Sequence, residues 1–308
     1  MLRRLLQLIP VLLAVSILTF GLIRLSPGDP AQVALRNQGA MLTAEAIAKM
    51  RAEMGLNDPI LIQYWRWLTR ALQFDFGNSI RSGQPVNEAI ALRLVPTLQL
   101  AVAGLAVALI IAVPLGILAS RRQHSWVDHI SRLAALAGAS MPSFWLGLLL
   151  IYYFAVVLDW LPAMGRKTPQ HLVLPALTLG LGLAPLFARL LRASLVEVLS
   201  EDYIRTARAK GVIERNVILK HALRNALLPL ATVFGLTAAH SLGGVVIVET
   251  IFAWPGIGQL TVDSILTRDF PAVQALVLLL SVAFVLANLA VDLCYPLLDP
   301  RVRMQGNP

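Results

Sequence analysis

The stretch that decides the fold is Glu201-Asp-Tyr-Ile-Arg-Thr-Ala-Arg-Ala-Lys-Gly211, continued by Leu219-Lys-His-Ala-Leu-Arg-Asn-Ala-Leu-Leu-Pro229. This charged segment lies between two long uncharged runs, so we expect it in water between two membrane helices. Ser200 is the expected N-cap, acidic residues fill the first turn, basic residues fill the last, and Gly211 follows; this order complements the helix macrodipole. A helix of about ten residues is about 15 Å long, too short to cross a bilayer. The segment therefore predicts a compact basic element at the membrane surface, available for another protein to hold.

The composition is that of an integral membrane protein. Of 308 residues, 57% are hydrophobic and 14% charged, with a mean hydropathy of +0.71, whereas soluble proteins carry about 25% charged residues. The net charge of +9 is spread over loops between apolar runs, as the positive-inside rule describes. This distribution favours contact with the lipid bilayer and argues against a nucleic-acid partner. The single cysteine, Cys294, cannot form an internal disulfide.

Six apolar runs are candidates to cross the membrane, which takes about 20 residues. They are Leu5–Ile23, Leu94–Ser120, Leu133–Leu158, Leu172–Leu191, Ala226–Val248 and Phe270–Val291. The fourth is the weakest, because Arg189 interrupts it. Prolines within these runs are tolerated where neighbouring helices satisfy the freed carbonyls. We therefore expect an all-α membrane protein with six transmembrane helices, kinked and packed together.

Lysine and arginine concentrate in the loops that share a side with both termini, which places the N- and C-termini and the basic segment in the cytoplasm. The start of the chain resembles a signal peptide, but Ser26-Pro27-Gly28 offers no small-residue cleavage site, so we expect it to remain as the first membrane helix. The predicted domains are residues 1–25 (N-terminus and first helix), 26–93 (extracytoplasmic domain), 94–300 (five-helix core with a cytoplasmic coupling loop, 189–225) and 301–308 (cytoplasmic tail).

The extracytoplasmic domain is predicted to be small and partly helical. An apolar stripe ends at Gly55, a suitable helix stop, and Asp58-Pro59 opens a second helix with Asp58 as its cap. The residues expected on the buried or membrane-resting face of this second helix are Ile60, Tyr64, Trp67, Leu68 and Leu72.

Signatures of chemistry are missing from the sequence. It has no Gly-x-x-x-x-Gly-Lys-Ser/Thr loop, so this chain does not hydrolyse ATP by that route, and it has no His-Glu-x-x-His metal motif. We therefore predict no catalytic residue, no metal ligand and no cofactor bound by this chain. His240 is the only titratable residue well inside a span, and Arg24, Glu249 and Asp292 lie near span ends. An ion-coupled carrier should show more intramembrane carboxylates or internal repeats, so the energy for transport must come from a partner.

The segment Arg189–Arg224, which joins the fourth and fifth spans, holds eight basic and four acidic residues. After Gly211, a second amphipathic stretch is predicted, with Leu219, Ala222, Leu223 and Ala226 on one face. Two short helices meeting at a glycine would form a rigid elbow for docking. The simpler interpretation, a solvated positive-inside loop, stays open at this point.

The segment Arg205-Thr-Ala-Arg-Ala-Lys-Gly211 resembles the "EAA" loop of ABC importer permeases. Its form is typical of the dipeptide/oligopeptide branch, which includes glutathione and nickel importers. The usual glutamate-alanine opening is replaced by Arg205-Thr206, whereas Ala207 and Gly211 match the pattern. Further motifs of the branch occur in order along nearly the whole chain: Leu25-Ser-Pro-Gly-Asp-Pro30, Gly55-Leu-Asn-Asp-Pro59, Gln63-Tyr64, Asp75-Phe-Gly77, Leu94-Val-Pro-Thr-Leu98, Leu242-Gly-Gly-Val-Val-Ile-Val-Glu249, Phe252-Ala-Trp-Pro-Gly-Ile-Gly258, Arg268-Asp-Phe-Pro271 and Asp299-Pro-Arg301.

The resemblance implies a type I ABC importer permease fold, of the MetI-like kind, in the bacterial cytoplasmic (inner) membrane. It implies a heterodimer with a second, homologous permease subunit and an extracytoplasmic solute-binding protein that delivers cargo. Two ABC ATPase subunits would bind ATP and magnesium and drive alternating access, so this chain itself is expected to be a translocation subunit and not an enzyme.

The resemblance also assigns roles to particular residues. Those expected to couple to an ATPase subunit are Tyr203, Arg205, Thr206, Ala207, Arg208, Lys210 and Gly211. Candidates for the translocation path or an outer gate are His240, Gly243, Gly244, Glu249, Trp254, Pro255 and Gly256. Gly243 and Gly244 equally fit a second interpretation, in which they permit close helix packing in the fifth span. The basic residues are expected to pair with acids on the ATPase, although exposed pairs contribute only ~0–1 kcal/mol each, so shape should matter more than charge. Trp254 is expected either in a lid near the binding protein or as an interfacial aromatic anchor.

Three alternatives remain at this stage. The cargo of an importer could be dipeptides, oligopeptides, glutathione, or nickel or another small solute. A protein of another class, an ion-coupled secondary carrier, would work alone without ATP. A scaffold or channel subunit would carry out no active transport.

Overall fold

The computed structural model describes residues 2–25, 28–37, 39–121, 125, 126, 133, 138 and 140–298. The side chains of 2–8, 22, 23, 25, 239–244 and 290–298 are outside this description. The described residues are mostly helical. The predicted tail, 301–308, and much of the start of the third predicted span fall outside the described residues.

Twelve α-helices are numbered here in chain order within the described residues. They are α1 Leu2–Leu25, α2 Pro30–Asn37, α3 Ala44–Glu53, α4 Ile60–Leu72, α5 Val86–Arg121, α6 Ser143–Leu150, α7 Val173–Leu199, α8 Asp202–Ala209, α9 Glu214–Asn216, α10 Leu223–Ile251, α11 Ile257–Leu266 and α12 Phe270–Leu298. π-helical segments, Ile151–Val157 and Val217–Ala222, extend α6 and join α9 to α10, and a 3₁₀ turn, Pro169–Leu172, leads into α7.

Four described helical segments are long and apolar enough to cross a membrane. They are Val86–Arg121, Pro169–Leu199, Glu214–Ala238 and Phe270–Leu289. They correspond to the second, fourth, fifth and sixth predicted spans. The first and third predicted spans correspond to shorter apolar helices, Ile9–Gly21 and Ser143–Val157. The number six therefore stays a prediction.

The chain divides into two compact units, Met1–Thr97 with Pro255–Leu286, and Leu98–Trp254 with Ala287–Pro308. We call them the outer unit and the core unit. These units do not test the predicted four-domain division, which stays a prediction.

In the outer unit, α4 packs against α1. The ring of Phe20 lies 5.5 Å from Tyr64 and 5.8 Å from Trp67, and the hydroxyls of Ser16 and Tyr64 are 2.8 Å apart. Arg24 at the end of α1 donates to the buried side chain of Gln63. α4 is therefore attached to the last two turns of the first apolar helix.

The predicted helix ends in the outer unit are confirmed at one site and wrong at another. Gly55, at φ +64°, follows α3 as predicted, in a conformation that glycine adopts without strain. α4 begins after Pro59, one residue later than predicted. Asp58 does not cap it, because its carboxylate instead pairs with Arg66 at 2.8 Å.

The core unit is built around α5, α7 and α10. Its largest buried cluster comprises Ala108, Ala112, Ala184, Phe187, Leu191, Leu195, Ile204, Val217, Ala222, Ala226 and Leu230. Small residues allow close packing: a Cβ placed on Gly180 of α7 would lie 2.6 Å from the Cβ of Val107 and 3.1 Å from the backbone nitrogen of Ala108. Membrane helices commonly approach one another at such small residues.

Candidate functional site

The predicted basic element exists as α8 and the turn that follows it. The N–H of Gly211 donates to the carbonyl of Arg208 (2.9 Å) and the N–H of Val212 donates to that of Ala207 (3.2 Å), which together form a Schellman motif. Gly211 has φ +76°, a left-handed conformation that costs other L-residues about 1–2 kcal/mol. The glycine stop was predicted and is confirmed. We call residues 202–216, from α8 through α9, the basic elbow.

The predicted N-cap of α8 is wrong by one residue. Glu201 takes the extended cap conformation (φ −69°, ψ 150°), without a side-chain capping bond. Ser200 is still helical and ends α7, and its hydroxyl donates back to the carbonyl of Glu197 at 2.6 Å. The hydroxyl of Ser200 therefore satisfies a carbonyl at the end of the preceding helix, because α7 extends closer to α8 than the apolar pattern indicated.

One side chain anchors α8 to the core unit. Ile204 is fully buried in the main cluster, and Ala207 packs at its edge. On the outside of the elbow, the hydroxyl of Tyr203 accepts a hydrogen bond of 2.7 Å from the side-chain amide of Asn225, which belongs to α10. α8 is therefore tied both to the core and to the helix that follows.

The third tie is an ion pair across the turn. The guanidinium of Arg208 donates two hydrogen bonds to the carboxylate of Glu214, at 2.9 and 3.1 Å. These bonds raise the pKa of Arg208, so it stays charged. Both side chains are about half exposed (43% and 44%), and such a pair contributes ~0–1 kcal/mol to stability. Arg208, predicted to pair with an acid on another subunit, thus has a carboxylate partner within its own chain.

The remaining predicted coupling residues are on the solvent side of the elbow. Arg205 pairs with Asp202 one turn earlier at 3.3 Å, and the hydroxyl of Thr206 donates to the Asp202 carbonyl at 3.0 Å. Lys210 is exposed. A Cβ on Gly211 would meet no atom of the described residues within 4 Å. The structure thus brings all seven predicted coupling residues together on one short exposed helix and its turn.

The prediction of two short helices was wrong for the second one. Glu214 begins a helical run that continues through the π-helical segment into α10 and ends at Ile251. The buried row is Ile218, Ala222, Ala226 and Leu230, whereas Leu219 is exposed. A π-helical segment adds a residue to a turn and shifts the faces, which a regular 3.6-residue pattern does not anticipate.

α10 joins the basic elbow to the predicted outer-gate residues. It has 29 residues, which corresponds to about 43 Å. His240, Gly243 and Gly244 lie within it, although their side chains are outside the described residues. Glu249, near its far end, is completely buried. A single helix therefore links the basic elbow to the opposite end of the core unit.

The turn after α10 was predicted, but the position of its tryptophan was not. Trp254 is buried, in a cluster with Leu100, Leu174, Val245, Val248 and Phe252. The backbone N–H of Trp254 donates to the backbone carbonyl of Glu249 at 2.8 Å, and the guanidinium of Arg166 lies 5.7 Å from the ring centroid of Trp254. The interpretation as an interfacial anchor is wrong, because an anchor needs an exposed ring. Pro255 and Gly256 lead into α11, with Gly256 at its N-cap.

Sequence analysis missed three residues that complete these sites. Glu214 and Asn225 hold the elbow, and Arg166, which also donates to Gln99 at 2.6 and 3.2 Å, covers Trp254. None of these pairs has helical spacing, because each joins different helices or a helix and a loop. The only available signal was the opposite charge of Arg208 and Glu214 on the two sides of a glycine.

Comparison with known proteins identifies the family. Residues 112–304 match the family described as binding-protein-dependent transport system inner membrane component, and residues 1–101 match the N-terminal family of the same membrane components. The chain belongs to this family. It is an ABC importer permease subunit, as the resemblance of its basic elbow implied.

Curated relatives match the permease over nearly its whole length. The glutathione transport system permease protein GsiC of Salmonella paratyphi A is 47% identical over 302 residues, which is 98% of each chain. GsiC of Pectobacterium atrosepticum is 48% identical over 301 residues, covering 98% of this chain and 97% of that protein. GsiC of Escherichia coli is 46% identical with the same coverage.

Solved structures support the fold. The MetNI methionine ABC transporter in inward-facing conformations matches 68% of the permease and 96% of that chain, with TM-scores of 0.55 and 0.56 at 21% and 20% identity. An amino acid ABC transporter with histidines matches 68% of the permease and 93% of that chain, with a TM-score of 0.52 at 15% identity. At these identities the likeness concerns the fold alone, and it agrees with the predicted MetI-like permease fold.

Proposed function

We propose that the permease forms one half of the translocation path of an importer for glutathione or short peptides, and that separate ATPase subunits drive it. The observation that carries this proposal is the 47% identity, over 98% of the chain, to a glutathione transport permease. Nickel chelates and other small solutes are the alternative cargoes. The second half of the path comes from a homologous permease, and a solute-binding protein delivers cargo from outside.

The basic elbow is the contact with the ATPase. Three independent ties hold α8 on the core unit: the buried side chain of Ile204, the bond between Tyr203 and Asn225, and the ion pair of Arg208 with Glu214. A helix held in this way moves as a rigid body together with α10. A loosely attached loop would instead deform when the ATPase subunits move, and would not transmit their displacement. The exposed side chains of Arg205 and Lys210 are then the ones that face the ATPase groove.

Helix α10 transmits the displacement of the basic elbow to the outer end of the core unit. When the ATPase subunits close on ATP, the elbows of the two permeases move, and each long helix transmits the displacement toward Glu249 and the buried turn at Trp254. The cavity then alternates between inward- and outward-open states as rigid bodies rotate about the permease interface. ATP must bind one of these states more favourably, since a ligand without differential affinity shifts no equilibrium. The elbow and both termini face the cytoplasm.

Cargo uptake tests this proposal directly. Cells or proteoliposomes that hold the complete importer should accumulate labelled glutathione or dipeptide only when ATP and this permease are both present. Proteoliposomes that hold this chain alone should accumulate nothing in an ion gradient. Ion-driven uptake by the isolated chain would establish a secondary carrier instead. ATP-dependent uptake of nickel without glutathione or peptide uptake would refute the proposed cargo and leave the importer intact.

A further inference from the structure

Helix α4 carries two different apolar faces. Tyr64, Trp67 and Ala71 pack inward, two of them against α1. On another face, Leu61 is 77% exposed, Trp65 66% and Leu72 73%. These three residues are four and seven positions apart, so they line one stripe of the helix. Leu72 had been predicted to share a face with Tyr64 and Trp67, and the structure places it on the exposed stripe.

The contacts with α1 set the depth of α4 in the membrane. The first apolar run ends at Ile23. At 1.5 Å rise per residue, Phe20 lies about 4.5 Å and Ser16 about 10.5 Å below that end. Tyr64 contacts both residues, and Trp67 contacts Phe20. The rings of Tyr64 and Trp67 therefore reach about 5–10 Å below the end of the run, whereas Gln63, bonded to Arg24, lies level with that end. An apolar face at this depth is typical of amphipathic helices embedded at a membrane interface.

The residues beside the exposed stripe suit the same position. Arg66 and Arg70 lie together on one side of it, and pair with Asp58 (2.8 Å) and Asp75 (3.3 Å) while remaining about half exposed. Basic residues beside an apolar stripe that contains tryptophan are characteristic of helices lying in the headgroup region. Trp65 has the amphipathic ring that is enriched at membrane interfaces.

The helix against which α4 packs is itself expected to face lipid. On α1, Leu13, Ile17 and Leu18 are exposed and apolar, as lipid-facing positions of a membrane helix must be. An exposed apolar stripe on a helix packed against such a membrane helix fits hydrocarbon better than an aqueous protein. The binding protein would meet the outer unit from water, where a stripe of exposed leucine and tryptophan is unfavourable.

We propose that α4 is an interfacial helix, with Leu61, Trp65 and Leu72 inserted into the outer leaflet of the bilayer. The inserted stripe holds the outer unit at a fixed height and tilt against the membrane. The salt bridges of Arg66 and Arg70 then lie at headgroup level.

Spin-label accessibility tests this arrangement. In a Cys294→Ser background, single cysteines replace Leu61, Trp65 or Leu72, with Lys49 and Gln73 as exposed control positions on α3 and just after α4. The labelled importer, with its co-purified partner subunits, is reconstituted into vesicles of phosphatidylethanolamine and phosphatidylglycerol. Labels on the stripe should collide severalfold more often with oxygen, relative to a water-soluble nickel chelate, than the label at Lys49. Gln73, on the polar side, should resemble Lys49.

Two outcomes overturn the proposal. Nickel accessibility on the stripe equal to that at Lys49 would place it in water, open to a binding protein. Low accessibility to both reagents would place it in a protein interface, such as one with the partner permease. A second measurement avoids dependence on the labelled variants: brominated lipids should quench the intrinsic fluorescence of the unlabelled importer more strongly than that of Trp65→Phe. Equal quenching of the two proteins contradicts insertion of Trp65.

Discussion

Arg208 and Glu214 join the two sides of the turn at Gly211 by two hydrogen bonds between guanidinium and carboxylate, at 2.9 and 3.1 Å. Arg208 belongs to α8, and Glu214 begins the helical run that leads into α10. The pair therefore fixes the angle between the short surface helix and the long helix of the core unit. Its structural effect is positional, since a half-exposed pair contributes little to overall stability.

Exchange of the two charges tests the positioning role of this pair. Glu214→Gln should change the stability of the assembled importer by about 1 kcal/mol or less, yet reduce ATP-driven uptake severalfold, because α8 loses its fixed angle. The doubly reversed variant, Arg208→Glu with Glu214→Arg, should recover most of the uptake. Uptake and ATPase rates measured on the same preparations separate coupling from assembly. Normal uptake by Glu214→Gln would show that the pair is dispensable, and failure of the reversed pair would point to a contact of Arg208 with another subunit.

Gly211 should tolerate asparagine but not valine. None of the described residues comes within 4 Å of a Cβ at this position, so the obstacle that the structure shows to a side chain is the backbone conformation at φ +76°. Strain of this kind costs about 1–3 kcal/mol, and asparagine adopts left-handed geometry more readily than a β-branched residue. We expect Gly211→Val to abolish transport and the stimulation of ATPase activity, with membrane insertion retained, and Gly211→Asn to keep most of both. Equal activity of the two variants would mean that the turn geometry is unimportant.

Ile204 is the hydrophobic anchor of α8, and its truncation should release the helix. Ile204→Ala should cost about 2–5 kcal/mol of local packing, whereas Ile204→Val should cost about 0.5–1.5 kcal/mol. Because the residue lies at the surface end of the main cluster, the loss should appear as faster hydrogen exchange in residues 202–212. The membrane-spanning part of α10 should exchange as before. Unchanged protection of α8 in Ile204→Ala would show that the two polar ties hold it alone.

Two glycines of α7 provide a matched test of helix packing. A Cβ on Gly180 would lie 3.1 Å from backbone nitrogen on α5, whereas a Cβ on Gly182 would meet no atom within 4 Å. Gly180→Ala should destabilise the protein by about 1–3 kcal/mol. Among the described residues no atom opposes a side chain at Gly182, so Gly182→Ala should be neutral or stabilising by up to about 1 kcal/mol, because alanine is the better helix former. Thermal unfolding in detergent, followed by the loss of monodisperse protein, compares the two variants; the same change in both would contradict the close approach of α5 and α7.

Features that depend on local chemistry could be predicted from the sequence. Four of the proposed spans follow from hydrophobic length, and the helix stops at Gly55 and Gly211 follow from the preference of glycine for positive φ. The elbow was located by its order of acidic residues, basic residues and glycine. These features need only neighbouring residues, which is why they could be found without a structure.

Features that depend on tertiary contacts could not be predicted from the sequence. The partnership of Arg208 with Glu214 crosses a turn, and the burial of Trp254 depends on Arg166 and on helices distant in sequence. The buried face includes Ile218 and not Leu219, because this part of the chain is π-helical. A pattern with 3.6 residues per turn does not predict a π-helical segment. The single buried or membrane-resting face predicted for α4 divides in the structure, where Ile60 and Leu72 are exposed and Tyr64 and Trp67 pack against α1. An apolar residue beside a membrane can face lipid or protein equally well.

Photo-crosslinking from the elbow tests the central claim most directly. A photoreactive residue at position 205, on the exposed side of α8, is compared in intact membranes with one at position 49, on the exposed side of α3. Position 205 should crosslink to the subunit that carries the ATP-binding motif, with a yield that changes when ATP hydrolysis is blocked, and position 49 should not. If the importer is assembled and active but position 205 never reaches that subunit, the basic elbow is not where ATP drives this permease.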